Sequence, residues 1–129
     1  MAIFFVCFWG TLLLLDTDKQ PPDADACPAG ERAFLAKPYL LLEGHAYKAA
    51  LPSLASLSDN EAQLFRSPVS LCEDKSVLGP AHSFHAEIAG VGFGRFSHYG
   101  DSIIFSSWDN SDPNSNGRQY LAIIPSKKR

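Results

Sequence analysis

Apolar and polar residues alternate most clearly over residues 95–107, where two short runs meet at Tyr99-Gly100-Asp101-Ser102. Glycine at the first central position of a two-residue loop supplies the positive φ that a type II′ turn needs, so residues 95–99 and 102–107 are expected to pair as a hairpin. That register sets Tyr99 opposite Ser102, His98 opposite Ile103, Ser97 opposite Ile104 and Phe96 opposite Phe105. Strand side chains alternate between faces. Phe96, His98, Ile103 and Phe105 therefore share the expected core face, and Arg95, Ser97, Tyr99, Ser102, Ile104 and Ser106 share the other.

A second hairpin is expected around Asp74-Lys75, with Val69 and Leu71 on one face and Ser70 and Cys72 on the other. Residues 81–89 follow Gly79-Pro80 and predict a short helix. Pro80 would enter its first turn, Phe84 and Ile88 would share a face, and Gly90 would stop it. Gly90-Val91-Gly92-Phe93-Gly94 has the look of a phosphate loop but lies between a helix and a strand, the reverse of the phosphate-binding order. Upstream, residues 45–51 alternate as a strand. Residues 33–42 are apolar, but Pro38 in their middle restricts them to an edge or to irregular structure. Residues 58–61 read as a surface turn.

Short runs separated by tight turns predict a mainly β domain: a small antiparallel β-sandwich or partly open barrel with one short helix. A chain of 129 residues suits one core. The expected division is an apolar segment over residues 1–15, a linker-like stretch over 16–44, the β domain over 45–124 and a basic tail over 125–129. Residues 1–15 admit a signal or anchor, a buried hairpin turning at Gly10-Thr11, or an artefactual or truncated start. The run falls short of a spanning helix, so no spanning membrane segment is expected. Cytoplasmic and exported locations both stay open.

A net charge of −3 provides no basic field for nucleic acid, and no nucleic-acid partner is expected. Fifteen aromatic residues argue against a disordered chain. Cys7, Cys27 and Cys72 show no zinc-like spacing. A Cys27–Cys72 bridge would need an oxidising compartment, and two reduced thiols are the alternative.

The candidate chemistry sits in residues 109–118, where small oxygen-bearing side chains, Pro113 and Gly117 make a turn. Asp112, Asn114 and Asn116 are spaced as in the opening of a calcium loop, but Ile123 stands where a bidentate glutamate would complete the shell. Asx turns explain the same residues, so no cofactor is expected, with calcium as the competing reading. Arg118 is expected to close the loop on its carboxylates, Asp109 and Asp112. His82 and His85, three apart on the expected helix, together with His98 have the residue types of a three-histidine zinc site. A hydrogen-bonded core role for His98 competes with it, and no metal ligand is assigned.

Ser67-Pro68-Val69-Ser70-Leu71-Cys72-Glu73-Asp74, Leu78-Gly79-Pro80-Ala81-His82, Gly94-Arg95-Phe96-Ser97-His98-Tyr99-Gly100 and the run from Phe105 to Arg118 together resemble an uncharacterised bacterial β module. The module accompanies methyltransferase and glycosyltransferase domains of surface-glycan pathways. The resemblance spans about residues 45–120 and departs from the pattern at Asp74-Lys75, where Asp-Gly is usual. It implies a non-catalytic accessory or binding module, with a glycan or a transferase protein as partner, and transfers no catalytic residue. A structural partner of a transferase and a small metal-dependent hydrolase are the other classes. Ligand contacts are expected from Trp108 and Tyr99, on which a sugar would stack, and from Asp109, Asp112, Asn116 and Arg118.

Overall fold

The computed structural model describes residues 25–126, which form two four-stranded antiparallel sheets packed as a small open sandwich. The strands are β1 (Gly30–Phe34), β2 (Leu40–Glu43), β3 (Ala46–Ala50), β4 (Ser70–Glu73), β5 (Ser76–Val77), β6 (Phe96–Tyr99), β7 (Ser102–Phe105) and β8 (Tyr120–Pro125). One sheet runs β1-β8-β4-β5 and the other β2-β3-β7-β6. A six-residue helix, α1 (His85–Gly90), and a 3-10 turn at Pro52–Leu57 complete the elements.

Both expected hairpins form, the first in the expected register. Phe96 pairs with Phe105, Ser97 with Ile104, His98 with Ile103 and Tyr99 with Ser102. Gly100 supplies the left-handed φ of +61°. In the other hairpin Cys72 faces Val77 and Glu73 faces Ser76. Asp74 takes φ +53°, a left-handed conformation that aspartate adopts more readily than most residues.

The core lies between the sheets. Phe96, Ile103 and Phe105 from the β6–β7 hairpin meet Leu71, Tyr120 and Ala122 from the facing sheet. Tyr39, Phe105 and Tyr120 pack as an aromatic group with centroid separations of 5.2, 5.8 and 4.9 Å. The polar face of the hairpin is covered as well: Ile104 packs with Ala46, Ile88 and Ala89 beneath α1. On the far side, Leu121 and Ile123 of β8 pack with Cys72, which is disulfide-bonded to Cys27.

Four sequence expectations change. Gly30–Phe34 and Leu40–Glu43, inside the stretch expected to be linker, are edge strands paired with β8 and β3. Their order comes from backbone pairing, which a hydrophobic pattern does not show. Pro38 sits between them, where no ladder hydrogen bond is needed. Within the stretch expected to be tail, Pro125 pairs with Gly30 and Ser126 N–H donates to Ala29 O.

The helix begins at His85. Pro80 follows a cis bond, His82 takes φ +58°, and Phe84 precedes the first turn with 68% of its surface exposed. His82 and His85 therefore do not share a helix face. Ser58 and Asp59, expected on the surface, are buried, because Asp59 N–H donates to His98 O along the open edge of β6. The expectations for residues 1–15 lie outside the described residues, as does the end of the basic tail. Among the described residues no helix is long and apolar enough to cross a membrane.

Candidate functional site

The loop over residues 109–118 is held by its own side chains. Arg118 forms a two-pronged pair with Asp109, Nη1 to Oδ1 and Nη2 to Oδ2 both at 2.9 Å. Its Nη1 also reaches Glu73 Oε1 at 3.3 Å. Asp112 does not meet Arg118: its Oδ1 accepts from Asn114 N–H at 2.8 Å, an Asx turn. The expected closure by Arg118 is thus made with Asp109 and Glu73 instead of Asp112, because the Asx turn commits Asp112 locally.

Asn116 Nδ2 donates to Tyr120 Oη at 2.8 Å and to Ser111 Oγ, while its Oδ1 accepts from Arg118 N–H. Tyr120 Oη in turn donates to Glu73 Oε2 at 2.6 Å, and Trp108 N–H reaches the same oxygen at 3.3 Å. The guanidinium of Arg118 holds Asp109 well below the usual carboxylate range. Burial raises Glu73, opposed by its bonds from Tyr120, Arg118 and Trp108. Trp108 is half-buried and packs against the main core. Asp109, Asn116 and Arg118 are therefore drawn into one structural network at the end of the sandwich, with the Asp112 carboxylate held apart in its Asx turn. Tyr99 lies elsewhere.

Tyr99 lines a cleft of about 510 Å³ beside the open edge of β6, together with Asp59, Leu64, Phe65, Pro80, His82, Phe84, His85, Glu87 and Ser97. Asp59 anchors it. The carboxylate is 4% exposed, accepts from Ser67 N–H through Oδ1 at 2.7 Å, and bonds His82 Nδ1 through Oδ2 at 2.5 Å. A carboxylate on Nδ1 fixes the orientation of an imidazole and leaves Nε2 as its working atom. His85 Nε2 meets Ser97 Oγ at 3.2 Å. Around this polar base stand Phe65, 75% exposed, Phe84, Leu64 and Tyr99. Large apolar side chains concentrated in the open around a few convergent polar groups have the composition of a ligand cleft.

His98 does not line the cleft but lies behind Asp59, linked to it through Ser67. It is 1% exposed, its Nδ1 meets Ser67 Oγ at 2.7 Å, and Nε2 has no hydrogen-bond partner among the described residues. Burial lowers its pKa and favours the neutral ring. Among the described residues no three His, Cys, Asp or Glu side chains converge as metal ligands.

Tyr99, His82 and His85 were visible as candidate residues, but Asp59, Phe65 and Phe84 were not. They lie in segments that read as a surface turn, an unassigned stretch and a helix face. What joins them is the packing of residues 59–65 and 80–87 along one strand edge, for which local sequence carries no signal. Comparison with known protein families, with curated proteins and with solved structures returned no match.

Proposed function

We propose that the protein is a non-catalytic binding module whose ligand occupies the cleft beside β6. One observation carries this reading: Phe65, Phe84, Leu64 and Tyr99 stay exposed around a cleft whose base is the hydrogen-bonded pair Asp59–His82. Burying such side chains would favour folding by about 1.5–3 kcal/mol each. Leaving several of them together in solvent supports a role in binding. The buried carboxylate and the oriented imidazole would then fix the pose of a ligand whose apolar part contacts the rings.

The resemblance to accessory modules of surface-glycan transferases supports a glycan or a transferase segment as the setting, with Tyr99 as the stacking face. Trp108, Asp109, Asp112, Asn116 and Arg118 fit a structural role in this reading, since each is hydrogen-bonded within the loop or to Glu73.

The test is a ligand-detected NMR screen of the full chain against aromatic fragments, methyl glycosides and amines, followed by chemical-shift mapping. Hits that perturb Tyr99, His82 and His85 are expected. Hits that perturb residues 108–118 and leave the cleft unmoved would return the site to the loop, and a screen with no hits would remove the binding reading.

A further inference from the structure

The chemistry of the cleft narrows the ligand class, on the premise that the cleft is the binding site. Its walls include two aromatic–imidazole pairs: Phe65 stands edge-on to His82 with centroids 5.3 Å apart, and His85 to Tyr99 at 6.1 Å. Phe84 adds a third exposed phenyl just before α1. The carboxyl side chains that line it are those of Asp59 and Glu87, and among the described residues no lysine or arginine lines it. Asp59 has both oxygens engaged, by Ser67 and His82. Glu87, in the first turn of α1, is exposed at the cleft.

Aromatic faces carry negative potential and attract cations held over them. The exposed carboxylate of Glu87 biases the cleft in the same direction and opposes an anion. A primary ammonium is compact and strongly hydrated, so apolar walls would strip it at a cost. A methylated ammonium spreads its charge over methyl groups that pack on phenyl rings as hydrocarbon does.

We propose that the cleft is a binding site for a quaternary ammonium group of the choline type. Phe65, Phe84 and Tyr99 contact its methyl groups, and Glu87 supplies the nearby counter-charge. His82, held by Asp59, forms the rigid part of the wall.

Choline and its neutral isostere 3,3-dimethyl-1-butanol separate charge from shape. Both are titrated into the full chain at about pH 8 and followed by NMR shifts of cleft residues. Choline should bind about tenfold more tightly than the isostere. Phe65→Leu and Phe84→Leu alter exposed side chains and keep apolar volume. Each should reduce that preference several-fold while changing the isostere's affinity by less than about twofold, and Glu87→Gln should also reduce it.

Equal affinity for the two probes, or a preference unchanged in all three variants, overturns the cation assignment while the cleft stands as a ligand site. Silence of the cleft toward both probes also overturns it, and the fragment screen then decides separately whether the cleft binds anything. Co-sedimentation with phosphatidylcholine vesicles that free choline competes away would place the ammonium on a lipid headgroup. Choline binding without co-sedimentation would make it a free cation.

Discussion

Tyr120 and Glu73 face each other across the β4–β8 ladder, and the phenol donates to Glu73 Oε2 at 2.6 Å in a site where both side chains are almost fully buried. The bond ties the central strand to the loop network, because the same phenol oxygen accepts from Asn116 and the same carboxylate receives Arg118. Tyr120→Phe keeps the ring in the core and removes only the hydroxyl. The buried carboxylate then loses its shortest bond, and the variant should be less stable by about 1–3 kcal/mol. Urea denaturation checks this, and a change within about ±0.5 kcal/mol, usual for surface positions, would mean that water replaces the phenol.

Arg118 should show energetic coupling to Asp109 and none to Asp112. Both members of the Arg118–Asp109 pair are partly exposed, with side-chain exposures of 26% and 33%, which limits the gain by solvent screening. Arg118→Ala and Asp109→Ala should each destabilise by about 1 kcal/mol, and the double variant by less than the sum. Asp112→Ala combined with Arg118→Ala should be additive. The melting temperature should not respond to calcium or chelator. A calcium-dependent rise present in the wild type and absent in Asp112→Ala would instead identify a cation site.

The two carboxylates beside Arg118 should give opposite pH dependences. Burial raises the pKa of Glu73 from its ordinary 4.5, so the folded state holds this proton more tightly than the unfolded state. The contribution of Glu73 is then fully present below its unfolded pKa and is lost as pH rises through the folded value. Asp109 is shifted downward by the hydrogen bonds of Arg118, so its contribution is present above the unfolded pKa and is lost as pH falls toward the folded one. Asp109→Asn should therefore flatten the loss of stability on acidification below about pH 4. Glu73→Gln should gain on the wild type as pH rises above the ordinary glutamate range. Urea midpoints measured against pH decide both, and a Glu73→Gln difference constant with pH would contradict the raised value.

The Cys27–Cys72 bridge closes a sequence separation of 45 residues and fastens the segment before β1 over the outer face of β4 and β8. A loop of that size corresponds to about 4 kcal/mol of lost chain entropy in the unfolded state. Cys27→Ala should lower stability by about 2–4 kcal/mol. It should also make the wild-type response to dithiothreitol disappear. A wild-type protein whose melting temperature is indifferent to reductant would show that the thiols are free.

Much of the sandwich was written locally. Gly100 at the start of a two-residue loop and the alternation of Phe96, His98, Ile103 and Phe105 were enough to set one hairpin's register and core face, because a strand's period of two couples side-chain facing to pairing. The turn chemistry of Asp112 and Asn114 was equally local, since an Asx turn needs only the backbone two residues ahead. What tertiary structure decided was every relation between distant segments. β1 and β2 exist because β8 and β3 offer them backbone partners, and the expected outer face of the hairpin is buried because α1 lies on it. Arg118 chooses Asp109 and Glu73 because the β4–β8 pairing brings Glu73 alongside. The cleft itself is the clearest case. Asp59 and His82, 23 residues apart, meet at the edge of β6 through bonds to strand backbone and to each other. No periodicity encodes that meeting, which depends on how two irregular segments satisfy one open strand edge.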